Sequence, residues 1–259
     1  MRDTAGPYRL LERTGEDRLG DTYRARDTER GRTAFVRVVH PHINEDPKRR
    51  AALAADAQKA AAVSHPSVAA LFDVIDEPQG LALAHEHVDG RTLAATLGGT
   101  PLNARLAVAI GIQVADGLAE VHAADLTHGA IDADHIAITP RGQAKLLDAG
   151  LTRWLSEDPA HTDDIAALGR LLSSMIGGHL PKAQWADDLR MAVARTQPGH
   201  PRRYESVATL AAELRAVSAM LEVRAEAAPR APAGSGMSVL LWALLALVLL
   251  GLGAWFLLL

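Results

Sequence analysis

Cysteine is absent from the 259-residue chain, which excludes disulfides, thiol nucleophiles and thiolate-bound metals together. An excess of basic charge is absent too. Lys and Arg number 27 against 31 Asp and Glu, for a formal net charge of −4. That leaves no basic face for a phosphate backbone, so nucleic acid is not an expected partner. No N-terminal stretch resembles a signal peptide, and no internal repeat is visible. The length allows one large domain or two small ones, with a core large enough to need no staple.

One feature present in excess is an apolar run. Val239 to Leu259 reads VLLWALLALVLLGLGAWFLLL without a charged residue. About twenty apolar residues at about 1.5 Å each span a hydrocarbon core of about 30 Å. Trp242 and Trp255 lie near the two ends, where indoles favour the interface. A buried core helix would show a polar stripe, and this segment has none. Residues 239–259 are therefore expected to be a transmembrane anchor, with no domain beyond it. Arg224 and Arg230 on the near side place residues 1–223 in the cytoplasm by the positive-inside tendency. The Pro/Ala/Gly-rich stretch 224–238 between them reads as a linker. Gly251 and Gly253 lack the spacing of a helix-dimerisation motif.

The remaining chain reads as strands first and helices after. Tyr8–Leu11, Thr22–Arg26 and Thr33–Val39 are short apolar runs separated by turn residues, the pattern of a β-meander. Lys48–Val63 is an Ala-rich helix stopped by Ser64-His65-Pro66. Val68–Ile75 and Leu81–Val88 are two further strands about a turn at Pro78–Gly80. After Asp89-Gly90 the periods lengthen, predicting helices over Leu102–Ala123, Asp163–Ile176, Pro181–Thr196 and Ser206–Val223. The expectation is an α+β chain of two lobes with a cleft between them, residues 1–88 forming the β-rich lobe and 89–223 the helical one.

Eight motifs then stand in one order. They are TGEDRLGDTYRARD at Thr14–Asp27, AFVRVVHPH at Ala34–His42, Ser64-His65-Pro66, HEHVDGRTL at His85–Leu93, THGAIDADHIAIT at Thr127–Thr139, LLDAG at Leu146–Gly150, DDIAALGRLL at Asp163–Leu172 and RYESVATLAAEL at Arg203–Leu214. Their order resembles the protein kinases, specifically the bacterial membrane-anchored Ser/Thr kinases, over residues 7–222. The resemblance implies a bilobal kinase-like fold. In this family phosphoryl transfer rests on a Gly-rich loop, a strand Lys paired with a helix Glu, a catalytic-loop Asp and Asn, and a magnesium-binding Asp in an Asp-Phe-Gly turn.

Position by position, these parts are altered. The loop keeps Gly15 and Gly20, but Asp17 replaces the middle glycine and sets a carboxylate against phosphates. The strand Lys is Arg37, and the helix Glu position falls on Asp56. A longer cation with a shorter anion conserves the reach, so an Arg37–Asp56 pair bracing the lobe is expected. Phe35 replaces a small alanine and would fill much of the adenine space. The hinge supplies Glu86 and Val88. In the catalytic loop, Ala130 occupies the position of the catalytic Asp and cannot accept a proton. Gly129, Asp132 and His135 replace its Arg, Lys and Asn, and His128 reads as a core histidine. Asp148 is retained as the single candidate magnesium ligand, where the family uses two. Asp164 matches the helix Asp that ties the catalytic-loop backbone.

Only residues 151–163 separate Asp-Ala-Gly from the next helix, too few for a peptide-substrate platform. Thr152, Ser156 and Thr162 in that loop are possible phosphorylation sites, although ordinary loop polar residues is the better reading. His85-Glu86-His87 places two imidazoles on one strand face, but no third metal ligand lies nearby. The resemblance therefore implies a pseudokinase. The expected role is a membrane scaffold for a cytoplasmic partner, such as an active kinase or a phosphopeptide-binding domain. ATP and magnesium binding would be weak, held by a remnant pocket of Gly15, Gly20, Arg37, Asp56, Glu86 and Val88. The alternative is an atypical Ser/Thr kinase in which Asp132 or Asp134 serves as base.

Overall fold

In the computed structural model, which describes residues 3–155, 163–178 and 180–227, the early turn residues produce a meander. Strands β1 (Thr4–Ala5), β2 (Tyr8–Glu16), β3 (Gly20–Asp27) and β4 (Thr33–Val39) pair antiparallel in sequence order. After two helices, β5 (Leu71–Glu77) and β6 (Gly80–Glu86) complete a six-stranded sheet ordered β1-β2-β3-β4-β6-β5. The two-residue period sorts β4 between two environments. Ala34 and Val36 enter one buried cluster with Tyr8, Ala25, Ala82 and Ala84. Phe35 and Arg37 consequently point to the opposite face, which becomes the roof of a cleft.

The two helices are α1 (Pro41–Asn44) and α2 (Pro47–Ala61). The Asp46 carboxylate caps α2 by accepting from the Lys48 and Arg49 N–H groups at 2.9 and 3.2 Å. Pro47 fills the first helical position, where its missing donor is not needed. The helix lays Leu53, Ala57 and Ala60 onto Leu19, Val39, Leu81 and Leu83. Burial of one such leucine stabilises by about 1.5–3 kcal/mol.

The helical half follows with β7 (Arg91–Thr92), α3 (Leu93–Leu97), α4 (Ala104–Ala123), β8 (Ile136–Ile138), β9 (Ala144–Leu146), α5 (Thr152–Leu155), α6 (Asp164–Ile176), α7 (Gln184–Ala194) and α8 (Val207–Ala227). Asn103 caps α4 through the Leu106 N–H at 2.9 Å. Among the described residues α4 is the helix long and apolar enough to cross a membrane. It instead buries Val108, Ile110, Val114, Leu118 and Val121 and packs on α6 and β9, as a core helix does. The three strands of the small β7-β8-β9 sheet are each too short to show a period, and the sequence reading places none of them. Helix α8 runs four residues past its expected end at Val223, because Arg-Ala-Glu-Ala continues a helix well. The linker from residue 228 onward and the apolar run 239–259 lie outside the described residues. The chain forms two compact units, residues 1–220 and 221–259; the first contains the sheet, the cleft and the helical half.

Gly20 owes its identity to packing. A Cβ there would fall well inside contact distance of the Val38 carbonyl oxygen, backbone that cannot move aside. A Cβ on Gly15 would meet nothing within 4 Å. Gly20→Ala is therefore expected to destabilise by about 1–3 kcal/mol, and Gly15→Ala to stay within about 0.5 kcal/mol. Chemical denaturation of both variants checks this; equal losses would contradict it.

Candidate functional site

A cavity of about 450 Å³ lies under the sheet, roofed by the β2–β3 hairpin and β4 and floored by the segment after β9. That volume falls in the range of small-molecule sites. Arg37 reaches across it. Its Nη1 donates to Asp148 Oδ1 at 2.8 Å, and its Nε lies 2.9 Å from Asp17 Oδ2. The Nε contact is an ion pair without hydrogen-bond alignment. Asp17 also closes its own hairpin: its Oδ1 accepts from the N–H groups of Leu19 and Gly20 at 2.9 and 3.1 Å. Asp148 adopts a left-handed backbone, φ 54°. Burial would raise its pKa, but the Arg37 guanidinium outweighs this and holds it at about 2. His85 is the converse case: burial first, then the nearby Arg37 charge, push it down to about 4. Its imidazole is neutral at physiological pH, and its Nε2 has no hydrogen-bond partner.

The expected Arg37–Asp56 pair does not form. Asp56, on α2, is held by Arg153 and accepts from Trp154 Nε1 at 2.7 Å, both from α5. Leu151, Trp154 and Leu155 meanwhile pack into the α2 core. The short α5 thus captures Asp56, and Arg37 takes Asp148 instead. Asp56 and Gly20 do not line the cavity, whereas Gly15, Arg37, Glu86, Val88 and Asp148 do. Phe35 lines it without filling it, since its ring leans on His87 with centroids 4.7 Å apart. The Glu86 side chain turns away to Lys145 at 2.9 Å and to the Ala70 N–H at 3.1 Å, bracing the hinge against β9. The sequence reading assigns no role to Lys145, Arg153 or Trp154. The signal for all three is their place beside Asp-Ala-Gly.

The catalytic-loop region is held from below. Asp164 accepts from His128 N–H at 2.9 Å and Gly129 N–H at 2.8 Å and meets His122 Nε2 at 2.8 Å, the tying role expected of it. Burial raises its pKa, and these partners together bring it below the usual carboxylate range. His128 is buried; its Nδ1 accepts from the Ala130 N–H at 3.3 Å, so its Nε2–H donates to the Leu147 carbonyl at 2.9 Å. It is a core histidine, as expected. Asp132 closes a turn, its Oδ1 taking the N–H groups of Asp134 and His135 at 2.9 and 3.0 Å and His135 Nδ1 at 2.8 Å. Thr152 is buried on the His128 carbonyl, which removes it as an accessible phosphorylation site. Ser156 and Thr162 lie outside the described residues.

Magnesium prefers several oxygen ligands at near-ideal octahedral geometry. Here one Asp148 oxygen is bound by Arg37, and the second ligand position carries an imidazole, His135, engaged by Asp132. The donor set does not fit the ion. Among the described residues no group of three His, Asp or Glu side chains is placed to hold a metal, the His85-Glu86-His87 triplet included.

Residues 8–180 match the family model described as a protein kinase domain. The serine/threonine-protein kinase PknD of Mycobacterium tuberculosis is 30% identical over 165 residues, covering 63% of this chain and 25% of that protein. The probable serine/threonine-protein kinase SCO3848 of Streptomyces coelicolor is 28% identical over 172 residues, covering 64% and 26%. The chain thus matches about a quarter of the length of these curated relatives. The crystal structure of the Mycobacterium tuberculosis PknI kinase domain superposes with a TM-score of 0.65 at 18% identity, covering 84% of this chain and 99% of that one, a likeness of fold.

The two cleft titrations set an acid profile. His85 has a folded pKa of about 4 against an ordinary 6.5. Its depressed value means stability is full above 6.5 and declines as pH falls toward 4. Burial depresses His128 in the same direction. Asp148 adds a loss only below the ordinary carboxylate value, down to about 2. Between pH 7 and pH 5 the chain is expected to lose about 1–2 kcal/mol more than its His85→Leu variant, read by urea unfolding. Equal losses in the two proteins would contradict the neutral, buried assignment.

Proposed function

The chain belongs to the protein kinase domain family, and from that premise we propose that it is a catalytically impaired member. In this reading it is a pseudokinase that serves as a membrane-anchored scaffold or regulator of a cytoplasmic protein. The observation that carries this is Ala130, a methyl group where the catalytic carboxylate is expected, in the turn after His128-Gly129. A methyl group neither orients a hydroxyl nor takes its proton. Two further features support the reading. Arg37 is committed to Asp148 and Asp17 rather than to a ligand, and Asp132 is consumed by its own turn.

The apolar run 239–259 supports an anchor in the cell membrane, with the kinase-like domain on the cytoplasmic side. The partner class that suits such a scaffold is an active kinase or a phosphopeptide-binding domain; the near-neutral charge gives no support to nucleic acid.

A second reading is an atypical Ser/Thr kinase with residual ATP binding. The retained Asp148 on the cavity wall and relatives described as serine/threonine-protein kinases favour it. Arg37 would then have to release Asp148, and the exposed Asp134 would stand as base.

Incubation of the purified full chain with radiolabelled ATP, magnesium or manganese and a generic basic protein substrate separates the two. The impaired reading expects no incorporation, into substrate or chain, above that of the Asp148→Ala variant. Incorporation that this variant abolishes would overturn it in favour of the second.

A further inference from the structure

In the β2–β3 hairpin above the cleft, two consecutive backbone N–H groups, Leu19 and Gly20, which do not themselves line the cavity, converge on one oxygen of a residue that does. Successive backbone donors aimed at a single acceptor are how a loop holds an oxyanion. The acceptor here is the chain's own Asp17 Oδ1, at 2.9 and 3.1 Å. The second Asp17 oxygen lies 2.9 Å from Arg37 Nε, and the far end of that guanidinium is 2.8 Å from Asp148. The two hairpin donors are thereby occupied, and Arg37 is paired with two internal carboxylates. Of the other acids in the lining, Glu16 is paired with Arg13 at 2.6 Å and Glu86 with Lys145, and Arg91 is the other cation there. An incoming polyphosphate would meet the Asp17 carboxylate itself, with Arg37 already shared between two acids and the hairpin donor pair occupied.

The opposite end of the same cavity has the reverse character. Phe35 lines it with an aromatic ring, backed by His87 at a 35° tilt. The main-chain N–H and C=O of Val88 take no partner among the described residues. Between the two ends, near Arg37, the buried His85 on the cavity lining carries a polar atom, Nε2, that also lacks one. Unpaired polar atoms beside an aromatic ring suit a planar ligand with polar edges.

We infer that Asp17 is an internal anion occupying the phosphate-binding position of the cleft, so that the cleft takes an uncharged, planar ligand of the nucleoside class in preference to its phosphorylated forms, without a divalent cation. This rests on the impaired reading above, and names what the same site binds.

The test is isothermal titration of the full chain, in mild detergent, with adenosine and with ATP, each with and without magnesium. Adenosine is expected to bind about tenfold or more tightly than ATP, the order of one uncompensated like-charge contact in a half-exposed site. Magnesium should leave the adenosine affinity unchanged. Asp17→Asn keeps an oxygen acceptor for the hairpin and removes the charge; it should tighten ATP and leave adenosine alone. Tighter binding of ATP than of adenosine by the wild type, a magnesium requirement, or binding of neither probe would each overturn the inference. If Asp17→Asn does not fold, the wild-type preference and its magnesium independence decide. Binding of neither probe leaves the impaired reading standing. ATP binding accompanied by phosphate transfer removes both.

Discussion

The cleft is organised by one guanidinium. Strand alternation sends the Arg37 side chain to the underside of the sheet, where it is nearly buried. A buried cation is tolerated only when opposing charge and hydrogen bonds replace water. Asp148 from the helical half and Asp17 from the hairpin above supply them. The rest of the site follows from that requirement. Asp148 stays ionised at low pH beside that positive charge, and His85, kept neutral at physiological pH first by burial, is held further down by the same charge. The hairpin is held down on β4, and the roof and floor of the cavity are joined through charge.

The partner that Arg37 does not take matters as much. Asp56, left free on α2, is bound by Arg153 and Trp154 of α5. That contact draws Leu151 and Leu155 into the α2 core and buries Thr152 on the His128 carbonyl. The chain immediately after Asp-Ala-Gly therefore serves as packing for α2. The hinge is braced separately by Glu86 and Lys145. The Arg37 and Glu86 ion pairs are partly shielded, and salt screens such pairs less than it screens exposed ones.

Much of this was legible in the residues. The meander, α2 and the long C-terminal helices follow from period, composition and stop signals, because those signals are local, whereas the Asp46 cap and Pro47 start of α2 are not part of the sequence reading. Ala130 and Asp164 were readable because a motif fixes its positions by spacing alone. The Arg37 partner was not readable. Charge and reach favour Asp56 and Asp148 equally, and the choice depends on a competitor, Arg153, whose approach is set by the packing of a four-residue helix. Gly20 looks like a phosphate-loop glycine in sequence; its requirement is the close passage of β4, a contact between strands. The small β7-β8-β9 sheet was invisible because strands of two or three residues carry no period.

The central claim is that Arg37 has taken the place of the metal at Asp148. Electron paramagnetic resonance of manganese titrated into the full chain, with ATP present, tests it directly. The account predicts only the signals of free and ATP-bound manganese, unchanged by Asp148→Ala and with no protein-bound component at millimolar metal. A protein-bound signal that Asp148→Ala abolishes would show that the guanidinium yields its place, and would contradict the account.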